Sequence, residues 1–182
     1  MAGKWPRIVA RYTMRVSPWM DVIEREVEFA PGAPIQSYHA VGQADYIAIL
    51  AMTPQRLIPL VRQYRPAVEA FTWELPAGLV DPGEDAAETC KRELLEETGL
   101  RARAVRALGT ASPCTGRMSN RIHSFFVETG APERKPESGI EVRFVSEAEL
   151  VAAITGGEFI SQLHLGTIAL AAARGLLDLA EG

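Results

Sequence analysis

The order of elements along the sequence predicts a mixed α and β fold, and three observations carry that reading. Short apolar or alternating runs, each bounded by turn residues, fill the chain up to Pro76. One strongly charged helical stretch follows and is closed by a glycine. Further alternating runs then give way to two helical patterns at the C-terminal end.

Ile8 to Val16 opens as a strand of imperfect alternation, and Asp21 to Phe29 alternates in its second half as a half-exposed strand. Pro31-Gly32-Ala33-Pro34 is a turn, from which Ile35 to Val41 returns as the second arm of a hairpin. Tyr46 to Met52 is an apolar run expected to be a buried strand. Leu57 to Tyr64 follows as its neighbour across the turn Thr53 to Arg56, and Phe71 to Pro76 leads toward the charged helix. Beyond that helix, Ala102 to Thr110 and Arg121 to Thr129 read as strands around the loop Ala111 to Asn120. Ile140 to Val145 reads as another. Ser146, with Glu149 three residues on, starts a helix through a capping box; it runs to about Ile154, and Gly156-Gly157 ends it. A final helix covers roughly Ser161 to Ala180, and its small-residue run from Thr167 to Ala173 suits close packing.

Composition bounds the partners. The 182 residues suit one domain over positions 1–182, since no stretch reads as a linker. An apolar fraction of 47% and a charged fraction of 23% are those of a soluble globular protein. The net charge of −4 argues against non-specific nucleic-acid binding, which calls for a basic face. Cys90 and Cys114 give neither a disulfide framework nor zinc spacing. Cys90 is expected as an apolar filler and Cys114 as an accessible loop residue. No apolar run is long enough to span a membrane. The first residues lack a signal-peptide core, so a cytoplasmic location is expected.

The segment Gly78 to Leu100, G-L-V-D-P-G-E-D-A-A-E-T-C-K-R-E-L-L-E-E-T-G-L, carries the chemistry. Each helical residue turns about 100° around the axis, so Glu93 and Glu97 point the same way and Glu96 lies about 60° to the other side. Arg92, four residues before Glu96, can pair with it. Pro82 places the helix start near Gly83 to Asp85, and Gly99 fits the left-handed position that closes the last turn. So many carboxylates at close range are unfavourable unless cations neutralise them, and magnesium or manganese are the natural candidates. An ordinary solvated helix is the competing reading. It fails to account for Gly78, Glu84, Arg92, the three glutamates and Gly99 all standing at the positions of one long fixed pattern.

That pattern is the Nudix box, and every defined position of it is present. The sequence therefore resembles the Nudix hydrolases, which cleave a nucleoside diphosphate linked to another group. The resemblance implies an α/β/α sandwich with a mixed β-sheet, here with an N-terminal hairpin extension. It implies that Glu93 and Glu97 are the principal metal ligands and Glu96 a further ligand or base. Arg92 is then the orienting partner, and Glu84 a structural or accessory contact. Two or three Mg2+ (or Mn2+) ions are implied with them.

The flanks narrow the resemblance. Val61 to Pro66, followed by Trp73-Glu74-Leu75-Pro76-Ala77-Gly78, is similar to the segment before the box in ADP-ribose and other ADP-sugar pyrophosphatases. By that likeness the Ala77 carbonyl is a metal ligand and Arg65 contacts substrate phosphates; otherwise Arg65 pairs with Glu69 four residues on. Ser112-Pro113 and Met118 to His123 resemble the loop after the box, with Ser119 as a substrate contact, although the loop departs from the short S-P-G form of bacterial members. His123 reads as structural. A loop glutamate before the strand Ile140 to Val145 is implied to help activate water: Glu137 is the candidate, with Glu133 and Glu141 as rivals, Glu141 alternating outward. Trp19 and Tyr38, within residues 1–42, are implied to hold the base, partly across a homodimer; otherwise Trp19 fills core or interface. Trp73 reads as core.

These readings lead to an expected activity, metal-dependent hydrolysis of ADP-ribose or a related nucleoside-diphosphate sugar to a nucleoside monophosphate and a sugar phosphate. Glu137 or Glu96 would act as base. Hydrolysis of GDP-mannose or oxidised nucleotides, or ligand sensing without catalysis, are the competing expectations.

Overall fold

Alternation in the first forty residues produces strands that leave both faces of their sheet half open to water. In the structure, a computed structural model that describes residues 5–179, these strands are β1 (Arg7–Ser17), β2 (Met20–Glu28) and β3 (Gln36–Gly42). They pair antiparallel in that order, with Asp21 opposite Gly42 and Arg25 opposite Tyr38. Residues 112–121 belong with them. The Val41 N–H donates to the Arg117 carbonyl at 2.7 Å, and the Ser119 N–H donates to the Val41 carbonyl at 3.0 Å.

The contacts of the chain fall into two units: the residues up to Ala44 with Ser112–Arg121, and Asp45–Ala111 with the residues from Ile122 on. Adjacent residues join them at every junction, which explains why no linker is visible in the composition.

The second unit holds two sheets and the helices. Its strands are β4 (Tyr46–Met52), β5 (Ile58–Arg65), β6 (Ala70–Glu74), β7 (Ala77–Leu79), β8 (Leu100–Ala111), β9 (Ile122–Pro132) and β10 (Glu141–Val145). A mixed sheet runs β7-β4-β9-β8, with β4 and β9 parallel, and a smaller antiparallel sheet runs β10-β5-β6. The helices are α1 (Ala86–Thr98), α2 (Glu147–Thr155) and α3 (Gln162–Ala173).

Strand periodicity then fixes the layering. Ile47, Ile49 and Ala51 of β4, with Phe125 and Val127 of β9, meet Cys90 and Leu94 of α1 in one apolar cluster. Leu50, Met52 and Phe126 point the other way and join Ile168 and Ala171 of α3. The mixed sheet is thus covered by one helix on each face, the α/β/α arrangement expected.

Two expectations need correction. Leu57 to Tyr64 does form a strand, β5, but not beside β4. Arg56 turns in a left-handed conformation (φ 59°), and Thr53 closes the turn by taking the Leu57 N–H on its hydroxyl at 3.0 Å. The chain leaves the mixed sheet there, and β5 lies between β10 and β6. The last helix is also shorter than expected. It ends at Ala173, Gly175 takes φ 68°, and the Leu176 N–H returns to the Ala171 carbonyl, folding Leu177 into the core. Ala180 lies outside the described residues. No helix among the described residues is long and apolar enough to cross a membrane.

Candidate active site

The charged helix α1 starts and stops where its caps require. Asp85 accepts the Ala87 N–H at 2.9 Å, and Gly99, at φ 74°, donates its N–H to the Leu95 carbonyl at 3.0 Å. A side chain at Gly99 would place its Cβ 2.0 Å from the Arg134 carbonyl oxygen, so the close approach as well as the φ requires glycine.

Arg92 organises the acidic face. Its Nε and Nη2 fork onto Glu84 at 3.2 and 3.0 Å, while Nη1 donates to Glu93 at 2.7 Å and to Glu96 at 3.1 Å. The hydrogen bond from Arg92 holds the Glu84 carboxyl down at about 2. Glu93 and Glu97 behave differently, because they are turned toward the protein. Glu93 lies against the backbone of Gly78, where an added Cβ would come 2.2 Å from its carboxyl carbon. Burial raises its carboxyl above the ordinary range in spite of Arg92. Glu97 is only 6% exposed. It accepts the Ala77 N–H at 2.9 Å and a further bond from the Gln63 amide, yet burial still pushes its carboxyl up to about 7.

Carboxylate oxygens together with a backbone carbonyl at Ala77 form the donor set that hard divalent cations prefer. The packing of Glu93 on glycine at position 78 places a carboxylate directly against the strand that offers that carbonyl, and the residues fit such an ion. Among the described residues no three acidic side chains yet converge on one point; Arg92 lies among them instead.

Glu137 is brought to the same place by its backbone. Its N–H donates to the Glu96 carbonyl at 2.9 Å, and its charge helps to raise Glu93. The rivals are turned elsewhere: Glu133 pairs with Arg101 at 3.2 Å, and Glu141, exposed as alternation requires, pairs with Arg62 at 3.1 Å.

Arg65 pairs with Glu74, not with Glu69. Its Nε and Nη2 fork onto that buried carboxylate at 2.9 and 2.7 Å, and Thr72 donates to the same carboxylate at 2.5 Å. Burial alone would raise Glu74, but these bonds outweigh it and hold its carboxyl below the ordinary range. Arg65 lines a cavity of about 540 Å³ with Tyr46, Thr72, Glu74, Ala77 and His164 among its walls. The cavity thus reaches β7, on whose Gly78 the Glu93 carboxylate of the charged helix packs. Glu74, Thr72, Gln63 and His164 were not singled out from the sequence. The inward alternation of Thr72 and Glu74 on β6 is the one signal that pointed to two of them.

Trp19, Tyr38 and Ser119 belong to the other unit. Trp19 is 72% exposed at the turn between β1 and β2. Tyr38 is 43% exposed; its hydroxyl donates to the Gly116 carbonyl at 2.9 Å, and Arg117 lies 5.4 Å from its ring centre. Tyr38 stands four strand steps, about 13 Å of backbone, from Gly42, the partner of Asp21, whereas Trp19 lies two residues before Asp21 at the far end of β2. The Ser119 hydroxyl donates to the Val41 carbonyl at 3.3 Å. His123 is held between Asp45 and Thr110, both at 3.2 Å, Cys90 is buried, and Cys114 is exposed. Trp73 packs on the core with Arg143 4.3 Å from its ring centre.

A family model described as the NUDIX domain matches residues 43–163, beginning within two residues of the second unit. The chain is 31% identical over 152 residues to an ADP-ribose pyrophosphatase of Mycobacterium tuberculosis, covering 80% of this chain and 73% of that one. It is 36% identical over 115 residues to the CMP-5'-(N-acetyl-N-hydroxy-3-aminopropyl)phosphonate hydrolase of Streptomyces rubellomurinus, covering 63% of this chain. It is 30% identical over 109 residues to an ADP-ribose pyrophosphatase of Bacillus subtilis, covering 60% of this chain. The matched stretch spans only 55% of the Streptomyces protein and 58% of the Bacillus protein. A solved structure of an ADP compounds hydrolase superposes with a TM-score of 0.80 at 19% identity, over 97% of this chain and 100% of that one, a likeness of fold.

Proposed function

Because the chain belongs to the NUDIX domain family, we propose that it hydrolyses the pyrophosphate bond of ADP-ribose or a related nucleoside-diphosphate sugar, releasing a nucleoside monophosphate and a sugar phosphate. The observation that carries this reading is that Arg92 holds Glu93 and Glu96 and the Ala77 N–H holds Glu97 beside β7, whose Ala77 and Gly78 line the same cavity as Arg65. The two ADP-ribose pyrophosphatases among its relatives favour that substrate class.

Members of this family generally use divalent metals. Glu93, Glu96, Glu97 and the Ala77 carbonyl are the residues that would hold two or three Mg2+ or Mn2+ ions. When bound, such ions supply positive charge against the diphosphate and the charge that grows on the leaving phosphate. The remaining work falls to the chain itself. Arg65 takes a phosphate oxygen, its planar guanidinium suiting that contact better than an ammonium would. Arg92 fixes the rotamers of Glu93 and Glu96. Glu137 or Glu96 accepts the proton of the water that attacks phosphorus in line. A cytoplasmic homodimer that uses the exposed aromatics of β1 to β3 for the base completes the reading.

Incubating the protein with magnesium and a panel of nucleotide sugars tests it, with products resolved by chromatography. AMP and ribose 5-phosphate from ADP-ribose are expected. Tight binding of the same ligand by titration calorimetry, without turnover at any metal concentration, would overturn catalysis in favour of sensing.

A further inference from the structure

Arg65 and Arg92 share one construction. Each places Nε and Nη2 on a single glutamate, Glu74 or Glu84, and keeps Nη1 for another purpose. In Arg92 that nitrogen goes to Glu93 and Glu96. In Arg65 it makes no hydrogen bond among the described residues, at the wall of the cavity that begins beside Ala77 and Gly78.

The carboxylate behind Arg65 is unusually well fixed. Glu74 is buried, it takes the Thr72 hydroxyl as a third hydrogen bond, and His164 lies 3.9 Å from its Oε2. His164 is 5% exposed, and its Nδ1 is enclosed without a hydrogen-bond partner. A buried carboxylate flanked in this way has only one direction in which to hold a guanidinium. An arginine whose rotamer is already chosen loses little freedom when a ligand arrives, which favours binding.

We propose that Glu74, braced by Thr72 and backed by His164, is a positioning residue that aims Nη1 of Arg65 at a phosphate oxygen of the bound nucleotide. This rests on the reading above that Arg65 faces the diphosphate. Glu74 does not touch the substrate; it acts through Arg65 and governs affinity.

A double-mutant cycle separates that role from a merely structural one. Wild type, Glu74→Gln, Arg65→Ala and the double variant are compared by KM for ADP-ribose with magnesium, and by the dissociation constant for inorganic pyrophosphate. Loss of the fork is expected to weaken both about tenfold in the Arg65 background, and less than twofold once Arg65 is alanine. Equal weakening in both backgrounds, or none in either, overturns the proposal. If Glu74→Gln fails to fold, as a melt would reveal, Thr72→Val replaces it. That variant is expected to weaken binding about threefold through Arg65 alone. Should wild type turn over no nucleotide sugar, the functional reading fails while the pyrophosphate cycle still decides the role of Glu74.

Discussion

Arg92 spreads its guanidinium over three carboxylates at the rim of α1, whereas Arg65 commits both of its bonded nitrogens to one buried carboxylate between β5 and β6. Both guanidinium groups are anchored by a fork, but the anchors differ in kind. Glu84 is half-buried, and the hydrogen bond from Arg92 keeps it ionised. Glu74 is enclosed and triply bonded, while the Arg65 side chain it holds stays partly open to water. The contrast teaches that a guanidinium fork can tie several carboxylates together at a helix face or be fixed by one buried carboxylate in a sheet, according to where it is anchored.

The largest test of that contrast is Glu97→Gln. The amide keeps one acceptor oxygen for the Ala77 N–H and turns its NH2 toward Gln63, whose own amide flips to accept it. Loss of the carboxylate charge should lower turnover about a thousandfold or more, with the fold intact by circular dichroism. Variant and wild type hydrolysing a nucleotide sugar at similar rates would break the assignment.

Stability against pH in a chelating buffer sharpens the comparison further, because the two sides respond in opposite directions. Glu97 has a folded value of about 7 against an ordinary 4.5, so its protonated form is favoured by folding. Its contribution is fully present below pH 4.5 and is lost as pH rises through 7, amounting to about 3 kcal/mol. His164 is pushed by burial down to about 4 from 6.5, so its contribution is present above pH 6.5 and lost as pH falls toward 4. Denaturant unfolding should show Glu97→Gln gaining on wild type from pH 5 to 8, and His164→Asn gaining on it from pH 7 to 4.5. Parallel curves for all three proteins would refute both.

Gly78→Ala is the next smaller test. The new methyl would fall 2.2 Å from the Glu93 carboxyl carbon, and a flexible side chain moves more readily than a strand. Turnover should drop about thirtyfold, with stability changing by less than about 1 kcal/mol. Smallest of all, Glu84→Gln weakens a half-buried anchor at the rim and should reduce turnover only about threefold. An effect of Glu84→Gln as large as that of Glu74→Gln on pyrophosphate affinity would erase the distinction between the two arginines.

Much of this was legible before the fold was known, and unevenly so. The capping residues Asp85, Gly99, Ser146 and Glu149 act within a turn of where they stand, and they mark α1 and α2 closely. The unbroken apolar run of β4 and the alternating strands after α1 were equally local signals. Pairing was not legible. Nothing in Leu57 to Tyr64 says whether its partner is β4 or β6; the left-handed turn at Arg56 decides that, and arginine carries no mark of it. Glu74 escaped for a similar reason, since its meaning depends on Arg65 across a hairpin and on His164 from a distant helix. The division into two units left no trace in composition because it is made of contacts, with no spacer between.

The loop that carries Glu137 is stitched to the last turn of α1. The Glu133 N–H reaches the Gly99 carbonyl at 2.8 Å, Arg134 Nε reaches the Leu95 carbonyl at 3.2 Å, and Glu137 N–H takes that of Glu96. The Glu96 carbonyl is one that a helix leaves unspent at its end, whereas that of Leu95 already takes the Gly99 N–H and is shared with Arg134. One residue added or deleted between positions 133 and 137 would advance the acid by a whole peptide, about 3.5 Å, and out of register with the helix. Chain length in this short span, more than its composition, is therefore what evolution or an engineer must hold constant.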